Sequence, residues 1–308
     1  MIQKAQQIMK EVQKVVIGKE ESIAKVLMAM LAKGHVLIED IPGVGKTTLA
    51  LAFSKAFSLE YKRIQFTPDV MPSDITGFNL YNKATGTFEY SPGAAMCNLF
   101  LADEINRTSS KTQSALLEVM EEGRVTVDGT TRSVPQPFTV IATQNPVGSA
   151  GTQMLPESQL DRFMIRLVMG YPDLESEIHI LKERHTADPL DTVKQVATAQ
   201  DLLQMQQLVS NIYVSDPIYR YIAVLSSSTR NHPPIHLGVS PRGSLALSKM
   251  AKACAFLLGR DYVIPEDVQK VVYDVWEHRI LLKSQARIEH ASPRKVLEQF
   301  ISDTEIPK

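Results

Sequence analysis

The sequence predicts an α/β domain, a parallel sheet with helices on both faces, followed by an all-helical domain. Two observations carry this prediction. Between residue 35 and about residue 170, short apolar runs alternate with helical segments, the pattern of a parallel sheet with crossover helices. Beyond the breaker cluster Gly170-Tyr171-Pro172 the strand signals stop and helical spacing continues to the end. The length of 308 residues allows about two domains. The expected division is residues 1–172 and 173–308.

Taken in order, residues 2–16 and 20–33 carry apolar positions at helical spacing, with Val15-Val16-Ile17-Gly18 as an apolar turn between them. Five apolar runs read as strands: Val36–Ile38, Tyr61–Phe66, Leu99–Ala102, Phe138–Ala142 and Phe163–Met169. Residues 77–90 read as a hairpin set inside a helix. Residues 124–134 form a clearer hairpin, alternating Val-Thr-Val and turning at Asp128-Gly129. In the second domain, helices are expected over 175–186, 199–210, 215–228, 241–258, 265–280 and 293–303. Ser215-Asp216-Pro217 and Ile264-Pro265-Glu266-Asp267 supply two clear starts.

Composition narrows the function classes. A hydrophobic content of 44% supports substantial cores, and a net charge of −1 gives no bulk attraction to nucleic acid or anionic membrane. Cys97 and Cys254 lie in apolar runs far apart and read as two reduced core thiols of a cytoplasmic protein. No apolar run approaches the 18 or so residues of a membrane span, and the first residues lack a signal-peptide core.

The chemistry is concentrated in Asp40-Ile41-Pro42-Gly43-Val44-Gly45-Lys46-Thr47-Thr48, a phosphate-binding loop in which Asp40 replaces the expected first Gly. Gly43 and Gly45 let the backbone curl so that successive N–H groups form an anion nest, and the following helix adds its positive dipole end. Lys46 would supply a point charge for the β/γ-phosphates of a nucleoside triphosphate, and the Thr47 hydroxyl would be a ligand for Mg2+. The apolar run before the loop and the helix after it provide the strand–loop–helix setting that the motif needs. Asp40 leaves the nest and Lys46 intact.

A second apolar strand ends in Asp103-Glu104, 57 residues after Lys46. Ligands of parallel sheets collect at the carboxyl ends of strands, where the phosphate loop also lies. There Asp103 suits a water-mediated Mg2+ position, and Glu104 suits activation of a water. A third strand ends in Asn145, which is placed to hold a water or simply to open the turn before Pro146. Arg162 falls between a helix and a strand, and Arg242 starts a helix in the second domain. An arginine at a transferring phosphoryl group adds on the order of 10³–10⁵ in rate, but each of these two, taken alone, also reads as an ordinary surface charge.

The order of these elements resembles the AAA+ ATPases, and the detail resembles the MoxR family over about residues 10–285. The matching stretches are Val16-Ile17-Gly18, the phosphate loop, Leu101–Arg107, Lys111–Glu118, Ala142–Pro146, Leu160–Phe163 and Gly238–Arg242. The resemblance implies adenine contacts from Val16, Ile17 and Gly18, and phosphate and Mg2+ contacts from the loop, with Asp103 as the second Mg2+ position. It further implies Glu104 as water activator, Asn145 as sensor 1, Arg162 as the finger given to a neighbouring subunit, and Arg242 as sensor 2. Rings, usually hexamers, and ATP at subunit interfaces follow from the same resemblance. So do chaperone-like remodelling of a client protein or cofactor insertion into it, and a von Willebrand A-domain partner carried on a separate chain.

The two hairpins fit either projections toward a pore or partner, or plain sheet-edge structure. Lys83, Arg124 and Arg132 are too few to argue for nucleic acid. The competing readings are a metal-chelatase-type or nucleic-acid motor subunit and a non-hydrolysing nucleotide-binding scaffold. Glu104, Asn145 and Arg162 together speak against the scaffold.

Overall fold

The computed structural model describes residues 1–41, 43–145, 155–183, 189–288 and 292–307. Helix α1 (Ile2–Gln13) buries Ala5, Ile8 and Val12, one stripe at helical spacing, and α2 (Glu20–Leu31) follows after the apolar turn. Strand β1 (Val36–Glu39), the phosphate loop and α3 (Lys46–Phe57) come next, then β2 (Tyr61–Gln65). Helix α4 (Pro72–Thr76) leads into the first hairpin, β3 (Phe78–Asn82) and β4 (Thr87–Ser91). Strand β5 (Leu99–Asp103), α5 (Ser110–Glu122) and the second hairpin, β6 (Arg124–Val127) and β7 (Thr130–Ser133), follow. Strand β8 (Thr139–Gln144), α6 (Glu157–Leu160) and β9 (Ile165–Leu167) complete the α/β part.

The five central strands form one parallel sheet in the order β2-β5-β8-β1-β9. Its middle strands are buried on both faces, so they read as continuous apolar runs. Alternate side chains serve different cores. Leu99 and Leu101 join a core shared with α1–α3 and the helical part, whereas Phe100 and Ala102 face α5. All five strands run parallel, so their carboxyl ends, carrying the phosphate loop, Asp103 and Asn145, lie along one edge of the sheet.

The helical part comprises α7 (Leu174–Glu183), α8 (Ala199–Ser210), α9 (Asp216–Arg230), α10 (Pro241–Leu257), α11 (Pro265–Trp276), α12 (Ser284–Ile288) and α13 (Pro293–Asp303). Three sequence expectations are corrected. The helical part contains a small antiparallel ladder, β10 (Ile235–Leu237) with β11 (Leu281–Leu282), too short and too exposed to leave an alternating pattern. The helix expected over 265–280 ends at Trp276 and tightens into a 3-10 turn, Glu277–Arg279. The first hairpin does not interrupt a helix: α4 stops at Gly77 and no helix resumes before β5.

The two parts are joined by Arg279. Its guanidinium is buried, pairs with Asp161 Oδ1 at 2.7 Å, and donates to the carbonyls of Asp161, Phe163, Met164 and Val275. Burial pushes its pKa down and the Asp161 carboxylate opposes that. Asp161 also accepts from Ser240 Oγ at 3.0 Å, and Ser240 caps α10 through the Gly243 N–H. Removing one member of a buried pair strands the other, at a cost of about 3–5 kcal/mol. Asp161→Ala is therefore expected to lower the unfolding free energy by about 3 kcal/mol in chemical denaturation, and a loss below about 1 kcal/mol would contradict this joint.

Candidate functional site

Gly43, Gly45, Lys46, Thr47, Thr48, Asp103, Glu104 and Asn145 line one cavity of about 340 Å3, together with Arg63 and Gln65 from β2. Gly43 and Gly45 have φ of 86° and 91°, and a Cβ built on either meets no atom within 4 Å. A side chain there would project into open space at the loop, so the bare backbone is what faces a ligand. Gly45 is the N-cap of α3 and provides no side-chain cap, which leaves the first N–H groups of that helix free for an anion.

A second cavity, about 300 Å3, shares Gly43 and Gly45 with the first. Val16, Ile17, Val44, Ile180 and Leu181 make it largely apolar, and Lys19 and Glu177 lie at its edge. Gly18 sits on the turn at its margin, against Ser176. Pro42 lies outside the described residues. An apolar pocket opening onto a phosphate cradle suits a nucleoside triphosphate, base in one and phosphates in the other. Thr47 and Asp103 offer oxygen ligands of the kind Mg2+ takes from protein, one or two with phosphate and water completing the set.

Both carboxylates at the end of β5 are engaged by arginines that sequence reasoning missed. Asp103 accepts from Arg63 Nη2 at 2.7 Å and from Thr143 Oγ1 at 2.6 Å. Glu104 accepts from Arg107 Nη1 at 2.7 Å and from Asn145 Nδ2 at 3.1 Å. Burial works to raise the Glu104 carboxyl, but the bonds from Arg107 and Asn145 outweigh it and hold the pKa below the ordinary value. Glu104 also has φ of 58°, a costly conformation for this residue, held by its N–H bond to Thr143 Oγ1 at 2.9 Å. Arg63 left a signal, the Lys62-Arg63 charged pair inside the Tyr61–Phe66 run.

Lys46 Nζ donates to the Asp40 carbonyl at 2.7 Å. Burial lowers its pKa, opposed by the charges of Asp40, Asp103 and Glu104. Asp40 is more than a tolerated substitution. Its carboxylate accepts from the N–H groups of Ile41, Met169 and Gly170 at 2.8, 2.6 and 2.6 Å, tying the loop to the end of the sheet. A glycine could not do this.

Arg162 and Arg242 line neither of these cavities. They meet at Glu121, on α5, in a third cavity. Arg162 Nε lies 3.0 Å from one carboxylate oxygen and Arg242 Nη2 contacts the other. The angle at Arg162 Nε leaves that buried N–H without a hydrogen bond. Arg242, for which the resemblance implies the sensor 2 role, thus stands away from the cavity of its own phosphate loop. The link from Asp161 to Ser240 seats the start of α10 beside Arg162 instead.

A model of the ATPase family associated with various cellular activities matches residues 35–165, and a AAA lid-domain model matches residues 227–300. Chaperone MoxR1 of Mycobacterium tuberculosis is 38% identical over 307 residues, spanning 97% of this chain and 81% of that protein. The chain belongs to the MoxR family of AAA+ ATPases. This MoxR-family chain is also 48% identical over 296 residues to YeaC, an uncharacterized protein of Bacillus subtilis, covering 96% and 92% of the two. A Cytophaga hutchinsonii crystal structure assigned as an ATPase superposes with a TM-score of 0.93 at 38% identity, over 100% of this chain and 96% of that one.

The hydrogen-bond geometry of the MoxR-family site makes one direct expectation. Arg107→Gln should raise the Glu104 carboxyl pKa, because burial then acts with one fewer opposing bond. Carboxyl 13C NMR titration reads this; a Glu104 titration that stays put or moves down would remove Arg107 from the account.

Proposed function

We propose that this chain is an Mg2+-dependent ATPase that hydrolyses ATP at the subunit interfaces of a ring, and that the cycle remodels client proteins or inserts metal or cofactor into them. The observation that carries the reading is the separation of its charges. Lys46, Thr47, Asp103, Glu104 and Asn145 share one cavity, while Arg162 and Arg242 stand together at another, where this chain provides no phosphate loop. Two arginines held side by side on a carboxylate are suited to the terminal phosphate of a neighbouring copy, with Glu121 as their resting partner.

On this reading Val16, Ile17 and Gly18 hold the adenine, the residue 42–48 loop wraps the phosphates, and Thr47 and Asp103 hold Mg2+. Bound Mg2+ would neutralise charge developing on the transferred phosphoryl oxygens. Lys46 moves its ammonium from the Asp40 carbonyl to phosphate. Glu104, kept ionised by Arg107 and Asn145, polarises the attacking water through Oε1 or Oε2, and Asn145 Nδ2 orients that water. Arg162 and Arg242 of the next subunit supply positive charge on the far side. The α/β domain ends near residue 172 and the lid follows. A hexameric ring, a cytoplasmic location and a von Willebrand A-domain partner on a separate chain belong to the same proposal, supported by the family membership. The near-neutral charge disfavours a nucleic-acid track.

Glu104→Gln is expected to retain ATP in calorimetry while turnover falls by on the order of 10²–10⁴; turnover near wild type would end the role given to Glu104. Lys46→Ala should lose ATP binding. Arg162→Ala mixed with Lys46→Ala should regain activity, because some interfaces then pair an intact loop with an intact Arg162. Absence of recovery in rings shown to contain both proteins would place Arg162 outside the reaction.

A further inference from the structure

A groove of about 750 Å3 that the nucleotide site does not use lies between α8–α10 of the lid and the end of α2. Val209, Ile222 and Leu245 contribute to its apolar lining, and Lys33, Lys249 and Lys252 bring positive charge. Leu245, Lys33 and Lys249 also line the cavity of Arg162 and Arg242, so groove and arginine pair form one continuous surface.

The complementary surface lies at the nucleotide end of the same chain. Val168, Tyr171, Leu174 and Leu181 are 67%, 77%, 71% and 63% exposed, a concentration of bare apolar side chains within 14 residues. Glu175 and Glu177 stand among them on α7. Leu174 and Leu181, seven apart, share one face of that helix. Among the described residues, none of Lys33, Lys249, Glu175 and Glu177 has a salt-bridge partner. α7 also walls the base cavity through Glu177, Ile180 and Leu181.

We infer that α7 of one subunit, with the exposed segment before it, docks into the lid groove of the next subunit. The inference rests on the ring reading above, in which the nucleotide face of one copy meets Arg162 and Arg242 of its neighbour. An apolar ridge flanked by carboxylates then meets an apolar groove rimmed by lysines, directly beside those arginines. The docked helix couples two sites: a base bound against Ile180 and Leu181 fixes the ridge that the neighbour's lid grips, so nucleotide occupancy in one subunit sets the lid position of the next.

The test uses the full chain with ATP. Glu175→Lys and Lys249→Glu should each weaken self-association in analytical ultracentrifugation about tenfold, and the two together in one chain should recover most of that loss, since opposite charges face each other again. Leu174→Cys and Leu245→Cys, prepared separately and mixed under a mild thiol oxidant such as oxidised glutathione, should form a disulfide-linked dimer with ATP that neither forms alone. The native thiols of Cys97 and Cys254 are buried and pushed up to about 12, so they stay out of the exchange. Rings of wild-type affinity in both single charge variants, with no cross-link, would overturn the docking while leaving the ring reading standing. A wild-type chain that stays monomeric with ATP would overturn both.

Discussion

The buried Arg279–Asp161 pair is the constraint on which the arrangement of this molecule depends. A guanidinium sealed from water is tolerable only with a counter-ion and with its remaining donors satisfied. Asp161 supplies the charge, and four backbone carbonyls from both sides of the joint accept from the rest. These bonds fix the lid against the segment just before β9. The same carboxylate takes the Ser240 hydroxyl, so the cap of α10 is set by an α/β residue. One ion pair therefore determines that Arg162 and Arg242, 80 residues apart in sequence, share Glu121. A hydrophobic core continuous from α1–α3 into α8–α11 gives the joint its bulk stability, but apolar contacts are non-directional. The orientation comes from the charges.

The nucleotide end shows a different electrostatic solution. Asp103 and Glu104 stand in the cavity of the phosphate-loop motif, and each is balanced by a guanidinium from its own chain, Arg63 and Arg107. Lys46 is balanced by a carbonyl rather than a carboxylate. The partners differ in kind for a physical reason. An ion pair around Lys46 would have to be broken for every phosphate bound, whereas a neutral acceptor gives it up at lower cost. The arginines on Asp103 and Glu104 are each about 40% exposed, so water screens both ion pairs and neither is locked in place.

Much of this was legible in the sequence because it follows from local pattern. The five buried strands are continuous apolar runs, and the residues at their carboxyl ends converge once the strands are parallel. Strand, loop and helix sufficed to place Gly43 to Thr48, and the Asp103-Glu104 step follows from strand-end geometry. What escaped is long-range and polar. Nothing in the spacing links Asp161 to Arg279 across 118 residues, or names Glu121 as the meeting point of two distant arginines. The small β10–β11 ladder escaped because three and two residues cannot display an alternation. Arg242 was legible as a helix-start arginine, but the direction it faces depends on the joint, which only the folded chain defines.

Asp40 is the position where local pattern misled most and where the site joins its surroundings. A glycine there would suffice for the loop. The aspartate adds two bonds to the Met169 and Gly170 N–H groups, and Lys19, at the edge of the base cavity, binds the carbonyls of Met169 and Tyr171 at 2.6 and 2.8 Å. The segment that leaves the sheet is thus held by its amides from the phosphate loop and by its carbonyls from the edge of the neighbouring apolar cavity. Lys46 draws on the Asp40 carbonyl as well, so any movement of that ammonium toward a phosphate is felt at a residue whose carboxylate grips Met169 and Gly170. Short, buried hydrogen bonds transmit such displacement better than apolar contacts, because they lose energy steeply with distance and angle. The chain between the two cavities is a short polar lever, and α7 begins three residues beyond Tyr171, its last bonded residue.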